Sequence, residues 1–305
     1  MTGPNLTSVE AYLEALRTAL DGADRALIQD ALFDAEEHLR AEIAQHPDES
    51  EAVVLQRIVG SYGAPDEVAD SYRSNEIKVQ AALRTPAPKR AKSAIGRFFG
   101  IYADPGAYLS LMYMLMSLIT GVVFFSFAMT GSALSLGFAI LIFGVPFFLL
   151  FIGVSRILAL AEGRLVESML GTRMPRRPVH PGSPGTWWQR IVAMLRDLRT
   201  WSTLLYFVLM LPLGICYFTA AVVGTVVPLA LIIAPVALLL GFDNVVVVDD
   251  VPAEVNRNLL PLLPVLGIVG LTLMLHLAKA VGYVHGQLAK KLLVRDIWPQ
   301  TVASD

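Results

Sequence analysis

Charge is scarce in this chain of 305 residues: only 16% are Asp, Glu, Lys or Arg, where a soluble domain carries about a quarter. The shortage is uneven. Residues 1–97 have the mixed character of a soluble domain, and long uncharged runs begin near Leu109. The net charge of −2 gives no general basis for binding nucleic acid, and no direct nucleic-acid contact is expected. A single cysteine, Cys216, excludes an internal disulfide and any multi-cysteine metal cluster. Catalytic signatures are missing as well: there is no P-loop, no G-x-S-x-G, no H-E-x-x-H and no pair of carboxylates within the apolar runs. The expectation is a protein without catalytic residues, cofactor or metal, and not an enzyme. The N-terminus lacks a basic stretch followed by an apolar core, so it does not read as a signal peptide, and the first domain is expected in the cytoplasm.

What is present begins with helices. Thr7 followed by Glu10 has capping-box spacing, and a helix over about Ser8–Leu20 should follow. A second, from about Asp24 to Gln45, places Ile28, Leu32, Ala35, Leu39 and Ile43 on one stripe. Pro47 ends it. Asp48 with Glu51 suggests the next cap, and Val53, Val54, Ile58 and Val59 give the third helix its apolar face. Gly63 suits a C-cap, and Pro65–Asp66 opens a fourth helix carrying Val68, Ala69 and Tyr72. None of these stripes can be buried alone, so residues 1–83 should form a compact helical bundle. His38, beside Glu36 and Glu37, has the chemistry to bind metal or accept a phosphoryl group. No neighbouring ligand cluster supports that, and a solvated place on a helix flank is the preferred reading.

"DALFDAEEHLRAEI" and "YGAPDEVADSY" resemble the HAAS domain of bacterial membrane proteins. The matching residues are Asp34, Glu36, Glu37, His38 and Leu39, then Gly63, Pro65, Glu67 and Ala69, within about residues 5–75. The resemblance implies a cytoplasmic signalling or interaction module, often encoded beside PadR-type regulators, and no catalysis. Residues 84–97 form a linker with Arg84, Lys89, Arg90, Lys92 and Arg97. A basic run just before a membrane helix is expected to face anionic lipid rather than DNA.

Apolar runs at about 109–129, 134–158, 203–223 and 260–280 are each long enough to span a bilayer, the first two joined by a "TGS" turn. Arginines dominate the stretch between the second and third, which places it and the N-terminal domain on the cytoplasmic side. Within it, "TWWQRIVAMLRDLRTW" reads as an interfacial helix, with Trp187, Trp188 and Trp201 at headgroup depth. Residues 226–240 are apolar but short and carry Pro228 and Pro235, so a re-entrant or half-depth segment is expected there. The following loop, about 241–259, is acidic and is expected outside, with the C-terminal tail inside; its "NVVVVDD" is prone to form a short strand. The fold class is therefore all-α: a small cytoplasmic bundle and a polytopic membrane domain of two helical hairpins.

The hairpins repeat. "DPGAYLSLMYMLMSLITGVVFFSF" and "DLRTWSTLLYFVLMLPLGICYFTA" align at an offset of 93, anchored by Asp104 and Asp197, Tyr108 and Trp201, Tyr113 and Tyr206, Gly121 and Gly214, and Phe125 and Phe218. "RILALAEGRLVESML" and "KAVGYVHGQLAKKLL" align at an offset of 123. Two such hairpins would be related by an axis along the membrane normal. Together with "YFTAAVVGTVVPLALIIAPV", these motifs resemble the sensor domain at the N-terminus of many actinobacterial histidine kinases, over about residues 98–295. No kinase core follows, so kinase activity is not implied and His285 is not read as a phosphoacceptor.

His276 and Lys279 are ionisable residues near the end of the last span and are candidate sensing or gating groups. The bland alternatives are an interhelical hydrogen bond for His276 and a side chain snorkelling to the interface for Lys279. Asp104 and Asp197 read as helix caps with ligand binding as the alternative; Pro228 and Pro235 read as helix ends or as breaks facing a cavity. Lys89, Arg90, Lys92, Trp187 and Trp188 are the expected membrane-surface contacts. The leading expectation is a non-enzymatic signalling protein of the bacterial inner membrane, its partners the lipid bilayer and a cytoplasmic protein reached through residues 1–83. A homo-oligomer is admissible, and a transporter or transporter accessory subunit is the alternative.

Overall fold

Short polar caps and apolar stripes build the N-terminal bundle. The computed structural model describes residues 7–83, 93–138, 144–177, 192, 195–240, 247–248, 251–252 and 260–294. Helices α1 (Val9–Ala19), α2 (Arg25–Gln45), α3 (Glu51–Tyr62) and α4 (Pro65–Leu83) close around Tyr12, Leu16, Leu20, Ala35, Leu39 and Leu55. Each leucine among them, removed from water, contributes about 1.5–3 kcal/mol. The first cap differs from the capping-box reading. Ser8, not Thr7, accepts the Ala11 amide at 3.2 Å, while the Val9 amide goes to Glu51 Oε1 at 2.8 Å. Glu10 turns instead to Arg40, 3.3 Å away. Engaged with α1, Glu51 is not free to form a box with Asp48, and α3 starts after Ser50 without a side-chain cap. Gly63 ends α3 at φ +112°, a conformation that L side chains rarely adopt, and its carbonyl receives the Tyr12 hydroxyl at 3.0 Å. His38 stacks on Tyr62, ring centroids 4.5 Å apart.

A short lead-in, α5 (Ala94–Phe99) and a 3-10 turn (Gly100–Ala103), precedes the membrane domain. Among the described residues, four helices are long and apolar enough to cross a bilayer: α6 (Pro105–Phe138), α7 (Gly144–Leu170), α8 (Leu198–Leu239) and α9 (Leu262–Leu293). The chain is an integral membrane protein with all-helical architecture. Between α8 and α9, among the described residues, a two-residue ladder pairs Val247–Val248 with Val251–Pro252, at the β-prone stretch.

Several boundaries depart from expectation: α7 runs to Leu170 and α9 to Leu293, past the expected ends at 158 and 280, and two apparent breaks are continuous helix. No turn forms at "TGS": α6 continues through Thr130–Ser132 to Phe138, because Gly131 lies flat against the Phe151 ring of α7, where a Cβ would collide. The expected re-entrant segment is also overturned. Residues 226–239 continue the third span, and α8 is one helix of 42 residues containing Pro212, Pro228 and Pro235. Proline removes an amide donor and usually breaks a helix in water. Here Gly267 and Gly270 of α9 bring that helix against the Pro228 backbone and ring, and such packing sustains proline-containing helices in membranes. At 1.5 Å per residue α8 is about 63 Å long, roughly twice the hydrocarbon thickness. The helices long and apolar enough to cross remain four among the described residues.

Helices α6 and α8 cross at closest approach where each contributes a glycine. A Cβ on Gly121 would strike the Met210 carbonyl, and one on Gly214 would strike the Ser117 carbonyl. These are two matching contacts, since 93 residues separate both the glycines and the carbonyls. Small residues at such crossings let backbones approach, which is the main source of helix affinity in lipid.

Candidate functional site

The candidates read from the sequence fall into separate places. Asp104 Oδ1 caps the Gly106 amide at 2.9 Å and Asp197 Oδ1 caps the Arg199 amide at 3.0 Å. Lys279 makes an ion pair with Asp104, and His276 Nε2 lies 3.0 Å from the Phe98 carbonyl with its ring stacked on that phenylalanine. Tyr102 and Thr272 hydroxyls are 3.0 Å apart. These contacts pin the lead-in to α9. Pro228 and Pro235 are buried packing residues of α8. Lys89, Arg90, Lys92, Trp187 and Trp188 lie outside the described residues. Asp104→Ala is expected to lower stability by about 1 kcal/mol through the lost cap, read as a small drop in melting temperature of the solubilised protein. Lys279→Ala should do less, because its side chain is 56% exposed.

The buried polar centre of the membrane domain is elsewhere, formed by one side chain group from each of the four long helices. Tyr113 of α6 and Tyr206 of α8 donate their hydroxyls to the same atom, Glu162 Oε1 of α7, at 2.7 and 2.8 Å. The same hydroxyls lie 2.6 and 3.0 Å from His285 Nε2 of α9. Tyr217 sets its ring at 85° to the imidazole, centroids 5.6 Å apart. All four members of the centre are essentially excluded from solvent, Glu162 at 1% and His285 at 0% exposure. Tyr113 and Tyr206 stand at the offset of 93, and Glu162 and His285 at the offset of 123. Matching contacts recur above and below. Tyr108 donates to the Tyr102 carbonyl at 3.0 Å and Trp201 to the Leu195 carbonyl at 2.8 Å, each six residues back.

A second polar assembly joins the bundle to the membrane helices. After α7 the chain runs through Gly171–Arg177 against α2. Arg173, 8% exposed, reaches three carboxylates: Asp30 at 2.9 Å, Glu76 at 3.3 Å and Glu167 at 3.4 Å. Asp30 Oδ1 also accepts the Arg176 and Arg177 amides at 2.7 and 2.8 Å. Arg177 pairs with Asp34 at 2.8 Å and lies over the Phe33 ring; Gln29 bridges the Arg177 carbonyl and the Arg199 guanidinium. Lys290 of α9 pairs with Asp24, the N-cap of α2. Burial lifts the Asp30 carboxyl above its ordinary range, against the lowering pull of the two amides and Arg173. Burial likewise opposes the Arg173 charge, but the carboxylates of Asp30, Glu76 and Glu167 outweigh it and hold the guanidinium above its usual value. The bundle, Arg173 and the end of α9 therefore share one face.

The two assemblies are close in sequence along two helices. Glu162 precedes Glu167 by five residues on α7, and His285 precedes Lys290 by five on α9, a rise of about 7.5 Å. Gly163 packs on Met174 and Gly286 on Thr172, so the arginine segment touches the helices beside the polar centre. Sequence reasoning named Tyr113 and Tyr206 as repeat anchors and passed over Glu162. The signal was there: the two offsets put a carboxylate opposite an imidazole.

With this geometry in place, comparison with known proteins adds one finding. The family model described as "Putative sensor" matches residues 113–293, more than half of the chain, and this interval contains the whole polar centre. Searches of curated proteins and of solved structures each returned no match.

Proposed function

This chain belongs to the family described as "Putative sensor", and from that premise we propose a membrane-sensing role in which the four-helix domain passes its state to residues 1–83 through the Arg173 cluster. The observation that carries the reading is the docking itself: a buried guanidinium links α2 and α4 of the bundle to the end of α7. A change in the packing of α6–α9 moves the segment holding Arg173, and α2 is gripped or released. The acidic face of α2 then becomes available to a cytoplasmic protein. The bundle's resemblance to HAAS domains makes a PadR-type regulator the proposed partner, and the protein's role is relay rather than catalysis.

The same docking supports a topology for the bacterial cytoplasmic membrane. Bundle, arginine segment and the end of α9 lie on one face, and four crossings return the chain to the side from which it started. That face is the cytoplasmic one by its arginines, and residues 241–259 face outward. The two hairpins are related by an axis along the membrane normal through the polar centre, which the matching contacts at offsets of 93 and 123 support.

Deletion of the gene is expected to change a defined set of transcripts under envelope stress. Wild type should restore them, and a chain lacking residues 1–83 should not. Unchanged transcription, or full rescue by the truncated chain, would reject the relay. Thiol labelling at Asn244→Cys, in a Cys216→Ser background, should succeed from outside the cell.

A further inference from the structure

Proton bookkeeping at the polar centre leads beyond the relay and does not depend on it. Each tyrosine hydroxyl has one proton. When Tyr113 and Tyr206 both donate to Glu162 Oε1, their oxygens offer only lone pairs to His285, so Nε2 carries a hydrogen shared between them. When Oε1 itself is protonated, it donates to one hydroxyl, and that hydroxyl turns its own proton to Nε2. The same heavy-atom positions serve both arrangements. Glu162 Oε2 and His285 Nδ1 have no hydrogen-bond partner and are fully buried, an arrangement that a purely structural polar network avoids.

We propose that Glu162 and His285 form a proton-binding site that holds one exchangeable proton between them, relayed by the Tyr113 and Tyr206 hydroxyls. The transfer balances in two linked steps. The Glu162 O–H bond breaks as a tyrosine O–H forms, and the original tyrosine O–H breaks as Nε2–H forms; the carboxyl keeps the electron pair and becomes carboxylate, and the imidazole becomes imidazolium. With the proton bound the centre is neutral overall, as acid and imidazole or as carboxylate and imidazolium. Without it the carboxylate stands alone in apolar surroundings, which is costly. The titratable groups facing the centre are Tyr113 from α6, Glu162 from α7, Tyr206 and Tyr217 from α8 and His285 from α9; Cys216 adjoins Tyr217. Met174 and Thr172 of the arginine segment approach the flanking glycines and bring no charge. Among the described residues no ion pair includes Glu162 or His285. The crossing of α6 and α8 is therefore tied through its tyrosines to one proton.

The test uses the full chain in nanodiscs and pH-difference infrared spectroscopy. A protonated-carboxyl stretch should appear and disappear within roughly pH 4–9, together with a change in the imidazole nitrogens of histidine-labelled protein. Glu162→Gln keeps an acceptor for both tyrosines and should abolish that band and flatten the dependence of melting temperature on pH. Retention of the band and of the pH profile in Glu162→Gln, or no titration in wild type, overturns the proposal. Tyr113→Phe with Tyr206→Phe keeps both titrating groups and removes the bridge, so it serves even where Glu162→Gln does not fold. Carboxyl and imidazole titrations that are coupled in wild type should then separate by about one pH unit or more. Unaltered coupling in the double variant overturns the relay through the tyrosines.

Discussion

Arg173→Met is expected to undock the helical bundle from the membrane helices. The substitution removes the one guanidinium that Asp30, Glu76 and Glu167, each less than 10% exposed, share. Removing one partner of a buried ion pair costs about 3–5 kcal/mol, because the remaining charge is stranded rather than merely unbonded. Lys290–Asp24, Arg177–Asp34, Arg176–Glu167 and the amide bonds to Asp30 remain, but among the described ion pairs Arg173 alone joins all three carboxylates. Gln29 is 5% exposed beneath this contact, so a thiol placed there reports opening. In a Cys216→Ser, Gln29→Cys background, modification should accelerate on the order of 100-fold when Arg173 becomes Met, since each 1.4 kcal/mol is tenfold in population. Arg173→Lys should fall between: a single ammonium cannot serve three carboxylates with separate nitrogens. An unchanged rate in Arg173→Met would show that the cluster does not hold the bundle.

How far the sequence reveals this arrangement depends on the range of the interaction responsible. Local patterns were readable: the four bundle helices, the positive φ at Gly63 and the existence of four apolar helices follow from apolar stripes, a C-capping glycine and run length, although neither expected capping box forms. Interruptions were misread where a distant surface removes their local effect. Proline in α8 signalled a break, but Gly267 and Gly270 lie beyond the following loop and make continuity workable. The "TGS" stretch looked like a turn until Phe151 is known to rest on Gly131. The polar centre was within reach, since the alignment had already paired Tyr113 with Tyr206. Glu162 escaped notice because it lies past Leu158, the expected end of its span, and α7 in fact runs to Leu170. The Arg173 cluster was not legible at all. Its arginines were read only as a sign of sidedness, and Asp30 is 143 residues away.

Valine at Gly121 or Gly214 is expected to disable the membrane domain. At both positions the obstacle to a Cβ is the backbone of the opposing helix, Met210–Leu211 or Ser117–Leu118, and backbone cannot swing aside as a side chain can. Overpacking a close core costs about 1–3 kcal/mol for each insertion; relief here requires α6 and α8 to part along their length. Tyr113 and Tyr206 sit eight residues before the two glycines, about 12 Å along their helices, and must keep both hydroxyls on one Glu162 oxygen. Parting the helices therefore weakens packing and the polar centre together. Alanine should be damaging at both sites and valine more so, read as loss of folded yield and a lower midpoint in detergent unfolding. Gly137→Ala and Gly153→Ala are the controls: a Cβ there meets nothing within 4 Å, and helix propensity predicts a neutral or slightly favourable change of up to about 1 kcal/mol. The double variant Gly121→Ala/Gly214→Ala should cost less than the sum of the singles, because one displacement relieves both collisions. Additive costs would mean that the two glycines do not share a single crossing.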